Sequence, residues 1–144
     1  MSETHIPVAL RREVIARAGN RCEYCGMPDD ATLVSHEVDH IIAERHQGKT
    51  ERENLAYACF RCNRLKGSDL TSIDPQTGNI TRLFNPRVDK WGEHFRLRGP
   101  DGAFIEPLTA IGRTTAMFLE FNDTEWMALR LELLHQSRFA PPMS

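Results

Sequence analysis

The sequence predicts an α+β protein centred on a strand, loop, strand, helix unit, and three observations lead there. Two Cys-X-X-Cys pairs, Cys22/Cys25 and Cys59/Cys62, bracket the unit. Between them, β-branched residues are frequent from Thr32 to Ile42, as in a strand or the first arm of a hairpin, and Leu55-Ala56-Tyr57-Ala58 suits the returning strand. Phe60 to Lys66 then reads as a short helix stopped by Gly67.

The rest of the chain is read around that unit. Residues 1 to 5 are polar and expected to fray, and Pro7 suits the first turn of a helix carrying Val8, Leu10, Val14 and Ile15 at roughly helical spacing. Gly19-Asn20 is its stop, which gives an N-terminal helix over 1–19, packed as a lid, and a core over 20–70. The polar stretch from Ala43 to Glu53, with Gly48, is expected as an exposed loop. Asp74-Pro75, Thr77-Gly78-Asn79 and Asn85-Pro86 are closely spaced turn-formers, so 71–94 is expected as a linking arm over the surface.

Residues 95–144 read as a C-terminal hairpin and helical extension. Phe95-Arg96-Leu97-Arg98 and Ala103-Phe104-Ile105 flank the tight turn Gly99-Pro100-Asp101-Gly102. Helices are predicted from Ala110 to Phe121 and from Thr124 to His135, the second capped by Asp123. Trp126, Leu129, Leu133 and Leu134 share its apolar face, and Ala140-Pro141-Pro142 is expected to end as a disordered tail.

Composition bounds the function. At 144 residues, 40% hydrophobic and 26% charged, the chain has room for one modest core. Its apolar runs are too short to span a bilayer and its start lacks a basic region leading into an apolar one, so no membrane partner and a cytoplasmic location are expected. With a net charge of -2, attraction to nucleic acid must come from a local patch.

Cysteines that all fall in Cys-X-X-Cys pairs argue for metal-bound thiolates rather than disulfides. Cys22, Cys25, Cys59 and Cys62 supply the four soft ligands that Zn2+ takes in a tetrahedron. Such a closed shell leaves no position for substrate, so this zinc is expected to be structural. Asp39 and Asn63 are donors of the opposite kind, hard oxygens suited to Mg2+ or Mn2+, and His40 is a base that titrates near neutrality. Neighbours on a regular strand face opposite ways, so Asp39 and His40 share a site only if the strand breaks there.

Glu37-Val38-Asp39-His40-Ile41-Ile42, Glu53-Asn54-Leu55 and Cys59-Phe60-Arg61-Cys62-Asn63-Arg64-Leu65-Lys66-Gly67, in that order, resemble the HNH endonuclease family. The resemblance covers roughly residues 20 to 70 and implies a ββα-metal (His-Me finger) core and a metal-dependent endodeoxyribonuclease, with DNA as partner and RNA left open. It implies His40 as general base, Asp39 and Asn63 as ligands of one catalytic divalent ion, and Asn54 as a loop-bonding residue that orients His40. Asn63 stands where the family name has histidine, which leaves the metal preference open.

Arg45, Lys49, Arg52, Arg61, Arg64 and Lys66 form a basic cluster that could bind phosphate or be an ordinary solvated face; Arg64 and Lys66, just beyond Asn63, are the preferred phosphate contacts. His36 reads either as a satisfied histidine beside the knuckle or as a contact to the site, Glu37 as a supporting hydrogen-bonder, and His46 as a solvated loop residue or a phosphate contact. The alternative to an enzyme is a zinc-dependent nucleic-acid-binding or interaction module with an inactive site.

Overall fold

A computed structural model describes residues 5–143 of the chain; the expected fraying at 1–4 lies outside them. The expected central unit is present. Strand β1 (Glu37–His40) pairs antiparallel with β2 (Leu55–Ala58) in the register Glu37↔Ala58 to His40↔Leu55. Every residue of β2 is buried, because two layers cover it.

One layer is helix α1 (Val8–Arg17), which sets Val14 on the strand pair with Ile6, Ala18, Val38, Leu55 and Tyr57. Pro7 is its N-cap, one position before the expected first turn. Arg17 fixes the helix to the sheet by donating to the carbonyls of Arg52 (2.8 Å) and Leu55 (2.7 Å). On the other side lies helix α2 (Phe60–Lys66), capped by Cys59, whose Sγ accepts from the Cys62 N–H.

Three expectations are corrected. The β-branched run is mostly not strand: Leu33 and Val34 are exposed, and the Thr32 hydroxyl bonds the Val34 carbonyl at 2.8 Å in a local bend. Side-chain-to-backbone bonding of this kind competes with pairing. Residues 71–94 are not a bare linking arm. They hold a hairpin of β3 (Thr71–Ile73) and β4 (Ile80–Arg82), and a short helix α3 (Trp91–His94).

Asp74-Pro75 and Thr77-Gly78-Asn79 are the hairpin's own turn, Asn85-Pro86 opens the turn between β4 and α3, and strands of three residues carry too little alternation to be recognised. Fully buried Asp74 accepts from Gln76 N, Thr77 Oγ1 and both sides of the Arg113 guanidinium (3.0 and 2.8 Å). That network ties the hairpin to helix α4 (Ala110–Phe118), and Arg113 holds the Asp74 carboxyl well below the usual carboxylate range.

The C-terminal part follows the expected order, with β5 (Phe95–Arg98), β6 (Phe104–Pro107), α4, and α5 (Thr124–His135) capped by Asp123. The last segment is the third correction, since Arg21 donates to the Ala140 carbonyl at 2.7 Å and Phe139 reaches Gly26. A Cβ on Gly26 would stand 2.9 Å from Phe139 Cζ, so the tail packs against the first knuckle.

One core runs through the knuckles and the extension: Cys22, Cys25, Cys59 and Cys62 belong to the same cluster as Phe84, Trp91, Phe95, Phe121, Trp126 and Leu133. Arg113→Met should lower Tm by roughly 10 °C, because it leaves the Asp74 charge buried and unpaired. Adding Asp74→Asn should return part of that loss, as no charge then remains; thermal melts of the two variants check it.

Candidate active site and zinc centre

The four cysteines converge. All are buried, their Sγ atoms lie within 4.8 Å of one another, and Cys25 Sγ is 3.7 Å from Cys59 Sγ. A tetrahedral ion with Zn–S bonds of about 2.3 Å sets its sulfurs about 3.8 Å apart, so the donor set fits zinc. Backbone N–H groups point at the same sulfurs: Tyr24 N and Cys25 N at Cys22 Sγ (3.4 and 3.5 Å), and Cys62 N at Cys59 Sγ (3.4 Å).

The crowding also divides the protons. Hydrogen bonds from Cys22, Cys59 and Cys62 hold the Cys25 thiol well below its ordinary value. Cys59 and Cys62 are pushed up, first by their bonds to Cys22. A metal binds by replacing such shared protons.

Beside this centre, a cleft of about 740 Å³ is lined by Ile6 and Arg11 before the sheet, Glu37, Asp39 and His40 of β1, and Asn63 of α2. β1 ends at His40, as the shared site requires, and both Asp39 and His40 reach the cleft. His40 Nδ1 is 3.9 Å from Asp39 Oδ1, while His40 Nε2 is 2.8 Å from Thr50 Oγ1. Asn63 Nδ2 donates to Glu37 Oε2 at 3.0 Å, which fixes the amide and leaves its oxygen as an acceptor. Glu37 is thus a supporting hydrogen-bonder on the rim.

Asn54 is buried and bonds the loop three times. Its Oδ1 accepts from Ile42 N at 2.9 Å, and its Nδ2 donates to the carbonyls of Ile42 and Lys49, each at 2.9 Å. Gly48 is required for that closure, since a Cβ there would sit 1.7 Å from the Ile42 oxygen. His36 is buried against Tyr57 and half-satisfied: its Nε2 is 2.8 Å from the Met27 carbonyl, while its buried Nδ1 has no hydrogen-bond partner among the described residues.

The basic cluster does not face the cleft as a group. Lys66, expected at phosphate, is 6% exposed and donates to the Ile41 carbonyl at 2.7 Å, where it ties α2 to the end of β1. Burial pushes its ammonium down, and nearby Asp39 partly offsets that. Arg64 is exposed and lies 6.0 Å from the Phe60 ring. Arg52 pairs with Glu13, Arg61 pairs with Glu120 and Asp123, and His46 meets the Ser68 carbonyl at 3.1 Å.

Arg45 lines the cleft, joined there by Arg11 of α1, which the sequence does not single out. With Glu37, Asp39 and Glu44 against two guanidiniums, the lining favours a cation before it can favour a polyanion. Asp39 and Asn63 are the hard donors such an ion would use.

Comparison with known proteins finds a likeness over this unit of two strands and a helix, braced by four cysteines and carrying Asp39, His40 and Asn63 on one cleft. Residues 22–69, a third of the chain, match the family model described as HNH endonuclease. The CRISPR-associated endonuclease Cas9 of Corynebacterium diphtheriae is 42% identical over 59 residues, which is 40% of this chain and 5% of that protein. The chain therefore spans a small part of the relative it matches. No solved structure matches. No helix among the described residues is long and apolar enough to cross a membrane.

Zinc removal should disturb both tryptophans, because Trp91 Nε1 donates to the Tyr24 carbonyl inside the first knuckle and Trp126 packs edge-on against Phe60 of α2. The purified chain should carry one zinc per molecule, and chelation should red-shift tryptophan emission and abolish the cooperative melt; omitting Mg2+ should do neither.

Proposed function

We propose that the chain is a metal-dependent endonuclease that hydrolyses phosphodiester bonds of DNA in the cleft beside the zinc centre. The observation that carries the reading is that Asp39, His40 and Asn63, from the end of β1 and from α2, line one cleft. Asp39 and Asn63 would hold a single Mg2+ or Mn2+, which when bound offsets the charge developing on the phosphate and the departing oxygen.

His40 takes a proton from the attacking water. The water oxygen bonds to phosphorus, the P–O3′ bond breaks with its electron pair on O3′, which takes a proton from solvent, and the products are a 5′ phosphate and a 3′ hydroxyl. Asn54 holds the loop behind His40 through its three backbone bonds. Lys66 keeps the end of β1 in place against α2 through the Ile41 carbonyl. Arg11 and Arg45 are the phosphate contacts, on opposite sequence flanks of β1.

His40→Ala should lower plasmid nicking in Mg2+ or Mn2+ by about 10²- to 10⁴-fold with the melt unchanged. Cleavage at the wild-type rate rejects His40 as the base. Binding without cleavage by the wild-type chain in either metal establishes the inactive-module reading instead.

Arg11→Ala should weaken binding of an uncleavable duplex at every sequence alike and reduce the slope of log K against log salt by about 1. Fluorescence anisotropy across a salt series measures it.

A further inference from the structure

The loop between the two strands contains a group that neither composition nor spacing singles out. Thr50 Oγ1 lies 2.8 Å from His40 Nε2, and the histidine side chain is 3% exposed, so this hydroxyl is the hydrogen-bond partner of a buried ring nitrogen. The other ring nitrogen, Nδ1, is 3.9 Å from Asp39 Oδ1, and both residues line the cleft. The two nitrogens are therefore divided between a fixed protein partner and the site of chemistry.

The backbone around Thr50 is held more firmly than an exposed loop needs. The Ile41 N–H donates to the Asn54 carbonyl at 2.8 Å, Asn54 Nδ2 grips the Lys49 carbonyl one residue before Thr50, and Gly48 passes so close to Ile42 that any side chain would collide. The three side-chain bonds of Asn54 go to Ile42 and Lys49 and not to His40. Asn54 thus acts on His40 from two sides, through Ile41 and Ile42 that follow it and through Lys49 that precedes Thr50.

We propose that Thr50 is the positioning residue of the site: its hydroxyl accepts the Nε2–H of His40, which fixes the ring's orientation and leaves the Nδ1 lone pair free toward Asp39. This rests on the endonuclease reading for its catalytic consequence, but not for the hydrogen bond itself. A neutral imidazole has one N–H, and the nitrogen opposite it is the base. A partner that holds the proton on Nε2 thereby selects Nδ1 as the atom that takes the proton from water. Asn54, acting through Lys49 and Thr50, is then a supporting member two bonds further out.

The test uses the full zinc-loaded chain with isotope-labelled histidine, as wild type, Thr50→Ser and Thr50→Val. Long-range proton–nitrogen correlation spectra without a catalytic ion should show His40 as the Nε2–H tautomer in the wild type and Thr50→Ser, and a loss of that preference in Thr50→Val. In single-turnover nicking, Thr50→Val should slow the saturated rate by about tenfold to a hundredfold with KM unchanged, and Thr50→Ser should restore it. Zinc content and Tm of the variants separate this from a folding defect. A wild-type His40 protonated on Nδ1, or a Thr50→Val chain as fast as wild type, overturns the proposal. If the wild type shows the Nε2–H form yet does not cleave, the endonuclease reading fails and so does the catalytic role of Thr50, while the tautomer assignment alone survives.

Discussion

The convergence of four sulfurs is the constraint on which the rest of the structure depends. Cys22 and Cys25 sit on a knuckle before β1, and Cys59 and Cys62 on the first turn of α2, so joining them brings the helix against the sheet. Asn63 follows Cys62 directly and Lys66 follows one turn later, which puts one donor on the cleft and one cation on the Ile41 carbonyl. A β-hairpin of four-residue strands has too little core to hold such an arrangement, whereas a closed metal shell supplies folding free energy without using the substrate side. The centre is a frame for the cleft and not a second reaction site.

The frame solves a geometric difficulty that alternation creates. On a continuing strand Asp39 and His40 would face apart. β1 stops at His40, where Ile41 is held twice, its N–H by the Asn54 carbonyl and its own carbonyl by Lys66. Both ties depend on elements that the cysteines or Asn54 position. The end of β1 is therefore an imposed feature, and the residue pair at its tip is presented as a unit.

Much of this was legible in the sequence because the informative residues act locally. The Cys-X-X-Cys spacing, the stop at Gly67 and the apolar run Leu55–Ala58 each restrict structure within a few residues, and each was read correctly. What escaped were relations between distant segments. Lys66 read as a phosphate contact because a lysine on an exposed-looking helix turn gives no sign that a carbonyl at the end of β1 will bury it. Arg11 gave none either, since only packing of α1 on β2 turns that helix face toward the cleft. The strands of β3 and β4 are too short to show a period, and Asp74 reveals its role only through Arg113, 39 residues on.

The same reasoning explains why the C-terminal extension folds onto the core instead of hanging from it. Arg130 of α5 is fully buried and is met by neutral oxygens: it donates to the carbonyls of Ala103 and Phe121 and to Asn122 Oδ1. Burying a guanidinium in an apolar surround is costly unless charge or dipoles answer it. Here three oxygens of β6's approach and the α4–α5 turn do so directly. Burial pushes Arg130 down, and the opposing influence comes from Cys25 and Cys62, one sulfur from each knuckle. The extension is thus joined to the cysteine centre by packing, through Trp126, Phe121 and Leu133. Trp126 packs on Phe60 of α2 as well, so the knuckles, α2 and the extension share one packed core.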